Sequence, residues 1–260
     1  MHNKWVLITG AGKRIGKELA IYLAKKKYNI VLHHYRSEKD ALETQQILTS
    51  FGSECILTHF DLTKAEEIKK ACKELGEKNI HINTLINNAS IFYRTAFDNL
   101  DEESFDTFMS VNAKGPYLLS LILGKKMRTM GTGNIINITC ESVKNPFKGY
   151  LPYSVSKACL DSITKALAKE LAPQVRVNSI SPGPILAPEK TSKEEIEKKA
   201  QQVLLKRWGK PEDICKAVHF LMDEELFVTG IDIPVNGQRF RNKRLIKPSK
   251  SLNRHQKVKI

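Results

Sequence analysis

Tyr153 and Lys157 are spaced i, i+4, so on one helix face their side chains meet. A phenol ordinarily titrates near ~10. A neighbouring ammonium favours the phenolate and moves that value down. The pair can therefore serve as a proton donor near neutral pH, although alone this spacing is also that of a plain helical contact. A second candidate is Thr9-Gly10-Ala11-Gly12-Lys13-Arg14-Ile15-Gly16, which follows a strand-like run and opens a helical one. Glycines there permit a tight turn and close backbone approach, and the helix start offers N–H groups to an anionic pyrophosphate.

A third set of residues follows the second strand-like run: His33-His34-Tyr35-Arg36-Ser37, with no acid before Glu38. An acid at that place would accept from a ribose 2′-hydroxyl. Arg36 and Ser37 instead suit a 2′-phosphate, the guanidinium being able to grip it bidentately, and Arg14 in the adjoining loop adds a second charge. The expected cofactor is therefore NADPH/NADP rather than NADH. Five cysteines (55, 72, 140, 159 and 215) form no CxxC pair, and seven histidines form no HExxH pattern. No metal site is expected, and scattered thiols in odd number fit a reducing cytosol.

These candidates need strands and helices to hold them, and the apolar pattern supplies both. Strand-like runs fall at 5–9, 29–35, 55–60, 82–87, 133–139, 174–181 and 230–235. Helical runs fall at 14–26, 39–51, 101–130 (one long helix or two in series), 154–172 and 211–222, with capping boxes predicted at Thr63–Glu66 and Ser192–Glu195. Bounded apolar strands alternating with helices predict a parallel sheet covered on both faces. The expected fold is a single doubly wound Rossmann-type α/β domain with about seven strands, spanning 1–238.

With 260 residues, 41% of them hydrophobic and 27% charged, the chain is long enough for a sizeable core and is not a disordered or collagenous sequence. No apolar run reaches the ~18 residues of a membrane span, and the first strand-like run begins too early for a signal peptide. The formal charge is +14. Residues 239–260 carry nine basic side chains and no acid, forming a basic tail with Phe240 as its one aromatic. Such a tail is read as a solvated end, and specific nucleic-acid binding or a scaffolding role is the weaker reading.

In order along residues 4–238, the chain resembles the short-chain dehydrogenase/reductase family. The resemblance rests on TGAGKRIG (9–16), Asp61-Leu62, Asn87-Asn88-Ala89-Ser90, Asn112, Tyr153-Ser-Val-Ser-Lys157 and Ser181-Pro182-Gly183. It implies a cofactor held by Gly10, Gly12, Arg14, Ile15 and Gly16 at the phosphates and by Arg36 and Ser37 at the 2′-phosphate. Asp61 and Leu62 would take the adenine. Asn88, Ala89, Tyr153, Lys157, Pro182, Gly183 and Ile185 would line the way to the nicotinamide, with Lys157 holding its ribose. It also implies that Tyr153 donates the proton, that Asn112 holds a water relayed to the lysine, and that the protein is a dimer or tetramer.

The arginine of the loop, the basic HHYRS stretch and NNASIFY (87–93) resemble the pteridine reductase and dihydromonapterin reductase branch. There an aromatic after NNAS stacks on the pterin, and Phe92 matches it. Arg14 and Ser90 would help seat the substrate. Thirteen residues before the tyrosine the family places serine, and this branch aspartate; here the residue is Cys140. Thr139 is adjacent, but strand alternation predicts that it faces the other way. The function implied is NADPH-dependent reduction of a dihydropterin. The alternative within the same fold is reduction of a carbonyl, such as a 3-oxoacyl thioester.

Overall fold

A computed structural model describes residues 4–187, 191–224 and 226–238. The basic tail 239–260 lies outside them.

Seven parallel strands form one sheet: β1 (Trp5–Ile8), β2 (Asn29–His34), β3 (Cys55–His59), β4 (Ile82–Asn87), β5 (Gly133–Ile138), β6 (Val175–Pro182) and β7 (Asp232–Val235). Their order is β3-β2-β1-β4-β5-β6-β7, and every neighbouring pair is parallel. The central strands are buried on both faces, which is why they read as unbroken Val/Ile/Leu runs rather than alternating ones. Eight α-helices cover the sheet: α1 (Arg14–Lys25), α2 (Glu38–Ser50), α3 (Ala65–Glu77), α4 (Glu102–Met109), α5 (Gly115–Thr129), α6 (Leu151–Leu171), α7 (Lys193–Ala200) and α8 (Pro211–His219).

One face of the sheet is sealed by α1, α2 and α8, through residues such as Leu19, Leu23, Leu48, Ile214 and Val218. The other is sealed by α3, α5 and α6, through Leu75, Leu119, Leu123, Met127 and Leu167. The strand order reverses between β1 and β4. At such a point neighbouring crossovers leave on opposite faces and open a crevice at the carboxyl ends of the strands.

Three local expectations change. The predicted Thr63 capping box does not form, and α3 starts at Ala65. Two carboxylates fill its place: Asp61 Oδ1 accepts from Thr63 N at 2.8 Å, and Glu67 Oε2 accepts from Asp61 N at 2.8 Å. The run 101–130 is two helices in series, α4 and α5, joined by a π-helical turn, Ser110–Lys114. Helix α6 begins at Leu151, with Pro152 in its first turn, which brings Tyr153 into the helix proper. The last strand is shorter than 230–235. The Ser192 cap does form, its side chain accepting from Glu195 N at 3.2 Å.

Candidate active site

A cleft of about 1530 Å³ runs along the carboxyl edge of the sheet. Of the expected site residues it is lined by Gly10, Arg14, Ile15, Gly16, Arg36, Ser37, Asp61, Leu62, Asn88, Ala89, Ser90, Phe92, Cys140, Tyr153, Lys157, Pro182, Gly183 and Ile185. Gly12 and Asn112 are absent from its wall. Gly12 sits behind the loop, its carbonyl accepting from Thr44 Oγ1 at 3.3 Å.

The phosphate-loop end is built around two glycines. Gly10 has φ +64°, a conformation costly for a side chain, and a Cβ at Gly16 would run into the Gly10 carbonyl oxygen. Arg14 adopts φ +51° at the start of α1. That helix start has no side-chain cap and no acid in its first turn, so its N–H groups are not taken by a carboxylate. A dinucleotide pyrophosphate fits this cradle. Arg14 itself leaves the loop: its guanidinium donates to the Leu186 carbonyl at 3.2 Å, tying the loop to the segment after β6.

His33, which the sequence reading passed over, underpins the loop. Its Nδ1 accepts from Gly10 N at 3.1 Å, and its Nε2 lies 2.9 Å from the Phe60 carbonyl. That pattern assigns a neutral ring with the proton on Nε2. Burial agrees, holding the pKa down at about 4 against an ordinary 6.5. No acid stands at the end of β2. The Arg36 guanidinium lies 5.1 Å from the Tyr35 ring centroid, and Ser37 is the residue before α2. Asp61 accepts from Thr63 and hydrogen-bonds the Tyr35 side chain, contacts that hold its carboxyl low against the opposing effect of burial. Asn88 fastens β4 to the loop, its side-chain amide donating to Thr9 O at 2.9 Å.

At the other end Tyr153, Lys157 and Cys140 converge. Lys157 is 2% exposed and donates to the Ile138 carbonyl at 2.8 Å. Burial lowers its pKa to about 8. The expected downward shift of Tyr153 is not found in the chain itself. Burial is the first cause raising the phenol well above its ordinary range, followed by the charge and hydrogen bonding of Cys140 and the charge of Glu141. The ammonium is directed to a carbonyl, so its field does not offset the lost solvation. Cys140 Sγ also accepts from Ser142 N at 3.4 Å. Thr139 faces the other way as expected, its hydroxyl within 3.0 Å of the Ile180 carbonyl.

Asn112 and Ser90 also contact each other directly. Asn112 sits on the π-helical turn with its side-chain amide fully engaged. Its oxygen accepts from Ser90 Oγ at 3.1 Å and Ile91 N at 3.0 Å, and its nitrogen donates to Ile91 O at 3.2 Å and Ser156 Oγ at 3.1 Å. No donor or acceptor of that amide is left for a water, so the side chain positions the 90–91 segment. Ser90 lines the cleft and donates its hydroxyl proton to Asn112 Oδ1 at 3.1 Å.

Phe92 is 53% exposed and forms a wall with two tyrosines. Its ring stacks on Tyr150 at 4.8 Å and 8°, and meets Tyr153 edge-on at 4.7 Å and 71°. The reading missed Tyr150, Phe147 and Glu141, which also line the cleft. Tyr150 carried a signal, because three residues before Tyr153 is one helical turn. Among the described residues there is no group of three or more His, Cys, Asp or Glu side chains that could hold a metal ion. No helix among them is long and apolar enough to cross a membrane.

Residues 10–237 match the family model described as enoyl-(acyl carrier protein) reductase. An uncharacterized oxidoreductase of Thermotoga maritima is 35% identical over 247 residues, 90% of this chain and 96% of that protein. The 3-oxoacyl-[acyl-carrier-protein] reductase FabG of Staphylococcus epidermidis is 30% identical over 241 residues, 90% of this chain and 98% of that protein. The crystal structure of FolM alternative dihydrofolate reductase 1 from Brucella canis, complexed with NADP, is 27% identical with a TM-score of 0.87, covering 94% of this chain and 98% of that one.

Proposed function

Because the chain belongs to the short-chain dehydrogenase/reductase family, we propose that this oxidoreductase uses NADPH to reduce a dihydropterin to the tetrahydropterin. The observation that carries the reading is the aromatic wall: Phe92, half exposed in the cleft, set at right angles to Tyr153 and backed by Tyr150. A flat heteroaromatic ring lying on Phe92 is held beside the Tyr153 phenol, and stacking of this kind adds about 1 kcal/mol beyond buried area. A flexible 3-oxoacyl chain gains no such face-to-face contact. The NADP complex of the Brucella canis relative supports the cofactor, and that protein's name supports a pterin-type substrate.

When bound, the cofactor supplies the hydride. The chain's own residues do the rest. The glycine cradle and the start of α1 take the pyrophosphate, and Arg36 and Ser37 take the 2′-phosphate. Lys157, held by Ile138 O, takes the ribose hydroxyls. Phe92 fixes the plane of the substrate. Tyr153, whose proton burial retains, donates to the ring nitrogen of the C=N bond as the adjacent carbon is reduced, or water does so in its place. The raised phenol is consistent with an acid that keeps its proton until charge develops beside it.

A second reading has its own support: the staphylococcal relative is named as a 3-oxoacyl reductase. Cys140 favours neither reading, since a thiol stands where a carbonyl reductase of this family keeps serine and the pteridine branch aspartate; what the second reading lacks is a use for the aromatic wall. The reading also includes assembly as a dimer or tetramer through the long helices α5 and α6. Following NADPH oxidation with dihydromonapterin- and dihydrobiopterin-type substrates tests the function. Substrate-dependent oxidation is expected, and none above the background rate would overturn it.

A further inference from the structure

Two strand ends wall one side of the cleft. Ile138, Thr139 and Cys140 stand at the end of β5, and Pro182 and Gly183 at the end of β6. Ile138 is also the residue whose carbonyl holds Lys157. A single carboxylate, that of Asp232 at the start of β7, reaches across both strands. Its Oδ2 accepts from Ser181 Oγ at 2.7 Å, and its Oδ1 accepts from Ser179 Oγ at 2.8 Å, both on β6. Thr139 Oγ1 lies 3.2 Å from the same Oδ1 and 3.0 Å from the Ile180 carbonyl, so its one proton is shared between them.

The register explains how one side chain gathers three hydroxyls. Asp232 is paired with Ser179, and Ser179 and Ser181 are two residues apart, which puts them on one face of β6. All three hydroxyl-bearing residues are buried. Buried hydroxyls cost solvation that only a partner returns, and bonds to a carboxylate are stronger than neutral ones. The strands already pair through their backbones, so this cluster adds a second tie just before the chain reaches the cleft. The turn after β6 is fitted closely to β7 as well. Gly183 N donates to the Val235 carbonyl at 3.0 Å, and a Cβ on Gly183 would come within 2.6 Å of Asn236 Cα. We propose that Asp232 is a positioning residue of the oxidoreductase. Through Ser181 and Thr139 it holds the ends of β6 and β5 at the spacing that receives the nicotinamide half of the cofactor. Asp232 stands behind the cleft wall and acts through these neighbours. This rests on the cofactor placement above, with Arg36 and Ser37 at the 2′-phosphate and Pro182 and Gly183 toward the nicotinamide.

Two ligands separate the ends of the cleft: NADPH, and adenosine 2′,5′-bisphosphate, which lacks the nicotinamide half. Their dissociation constants are measured by calorimetry. Asp232→Asn keeps the size of the side chain but exchanges one acceptor oxygen for an N–H donor. It should weaken NADPH about 10-fold and leave the bisphosphate within about 2-fold. Ser181→Ala should weaken NADPH in the same selective way, and Ser181→Thr, which keeps the hydroxyl, should restore it. Combined with Asp232→Asn, Ser181→Ala should cost less than the two separate losses multiplied, because both remove the same bond. A role in general stability would weaken both ligands alike or neither. Equal losses of the two ligands, or an NADPH affinity unmoved by Asp232→Asn and Ser181→Ala, overturns the role of Asp232 and leaves the cofactor placement standing. If Asp232→Asn does not fold, the Ser181 pair decides by the same criterion. Failure of the bisphosphate to bind the unmodified protein overturns the cofactor placement and the proposal together.

Discussion

Tyr153 and Cys140 both line the reacting end of the cleft, and how a substrate takes its proton there separates the two kinds of chemistry open to it. A carbonyl becoming an alkoxide needs its proton as it forms, so Tyr153→Phe should cost a carbonyl substrate about 10²–10⁴ in turnover. A dihydropterin nitrogen can take its proton from water after reduction of the carbon. Cys140→Ala should then slow dihydropterin turnover less than ~10-fold, under ~1.4 kcal/mol of barrier. A Cys140→Ala loss as large as that of Tyr153→Phe on the same dihydropterin would show that the thiol takes a direct part. Phe92→Ala should raise the dihydropterin KM about 10-fold while NADPH affinity stays nearly constant, because stacking and covered area are lost on one side only. An unaltered KM would make Phe92 a loop anchor held by Tyr150. The ring of Phe92 was legible from its place after NNAS. Tyr150 carried only its spacing from Tyr153; that its ring stacks on Phe92 depends on where α6 starts and is not written in the sequence. The upward shift of the phenol was also hidden: the spacing of Tyr153 and Lys157 shows that they share a face, not that Lys157 is turned to the Ile138 carbonyl.

Each functional group is carried by the end of an element, and the elements differ in how plainly the sequence shows them. The join of β1 to α1 is fully legible, since a strand, a glycine loop and an amphipathic helix follow in order. The π-helical turn at Ser110–Lys114 is not, because one extra residue per turn leaves an apolar pattern that still reads as helix. Its effect is to place Asn112 against Ser90 and Ile91. At the end of β2 the histidine is silent in sequence, since its partners come from the loop after β1 and the segment after β3. Neutral His33 makes a pH prediction. Its folded pKa, about 4, lies below the unfolded 6.5. The unfolded chain therefore binds a proton first as pH falls, so stability is complete above pH 6.5 and declines toward pH 4. The loss amounts to about 3 kcal/mol. Urea midpoints across that window should fall less in a His33→Gln variant than in the unmodified protein, and equal declines would contradict the assignment. The neighbouring Arg36 and Ser37 make a cofactor prediction. NADPH should bind far better than NADH, and Arg36→Asp should erase or reverse the preference. Equal affinity of the unmodified protein for both cofactors would refute it.

At the scale of the molecule, the seven parallel strands and their single reversal between β1 and β4 were readable because buried strands and amphipathic helices alternate without a break. The sheet's order then forces residues from 10 to 185 onto one edge, which no local spacing could show. That edge brings the loop glycines Gly10 and Gly16, Arg14 and Arg36 into one cleft with the rings of Phe92, Phe147, Tyr150 and Tyr153. The basic residues 239–260 lie beyond β7 and outside the described structure. The central claim is that hydride from NADPH arrives on a ring carbon of a dihydropterin C=N bond. Its most direct test is reduction with NADPH deuterated on the transferring face of the nicotinamide, offered a dihydropterin and a 3-oxoacyl thioester in competition. Deuterium should appear on the tetrahydropterin carbon next to the newly protonated nitrogen, with the thioester consumed far more slowly. Deuterium appearing instead on the hydroxyacyl carbon, with the dihydropterin recovered unlabelled, would contradict it.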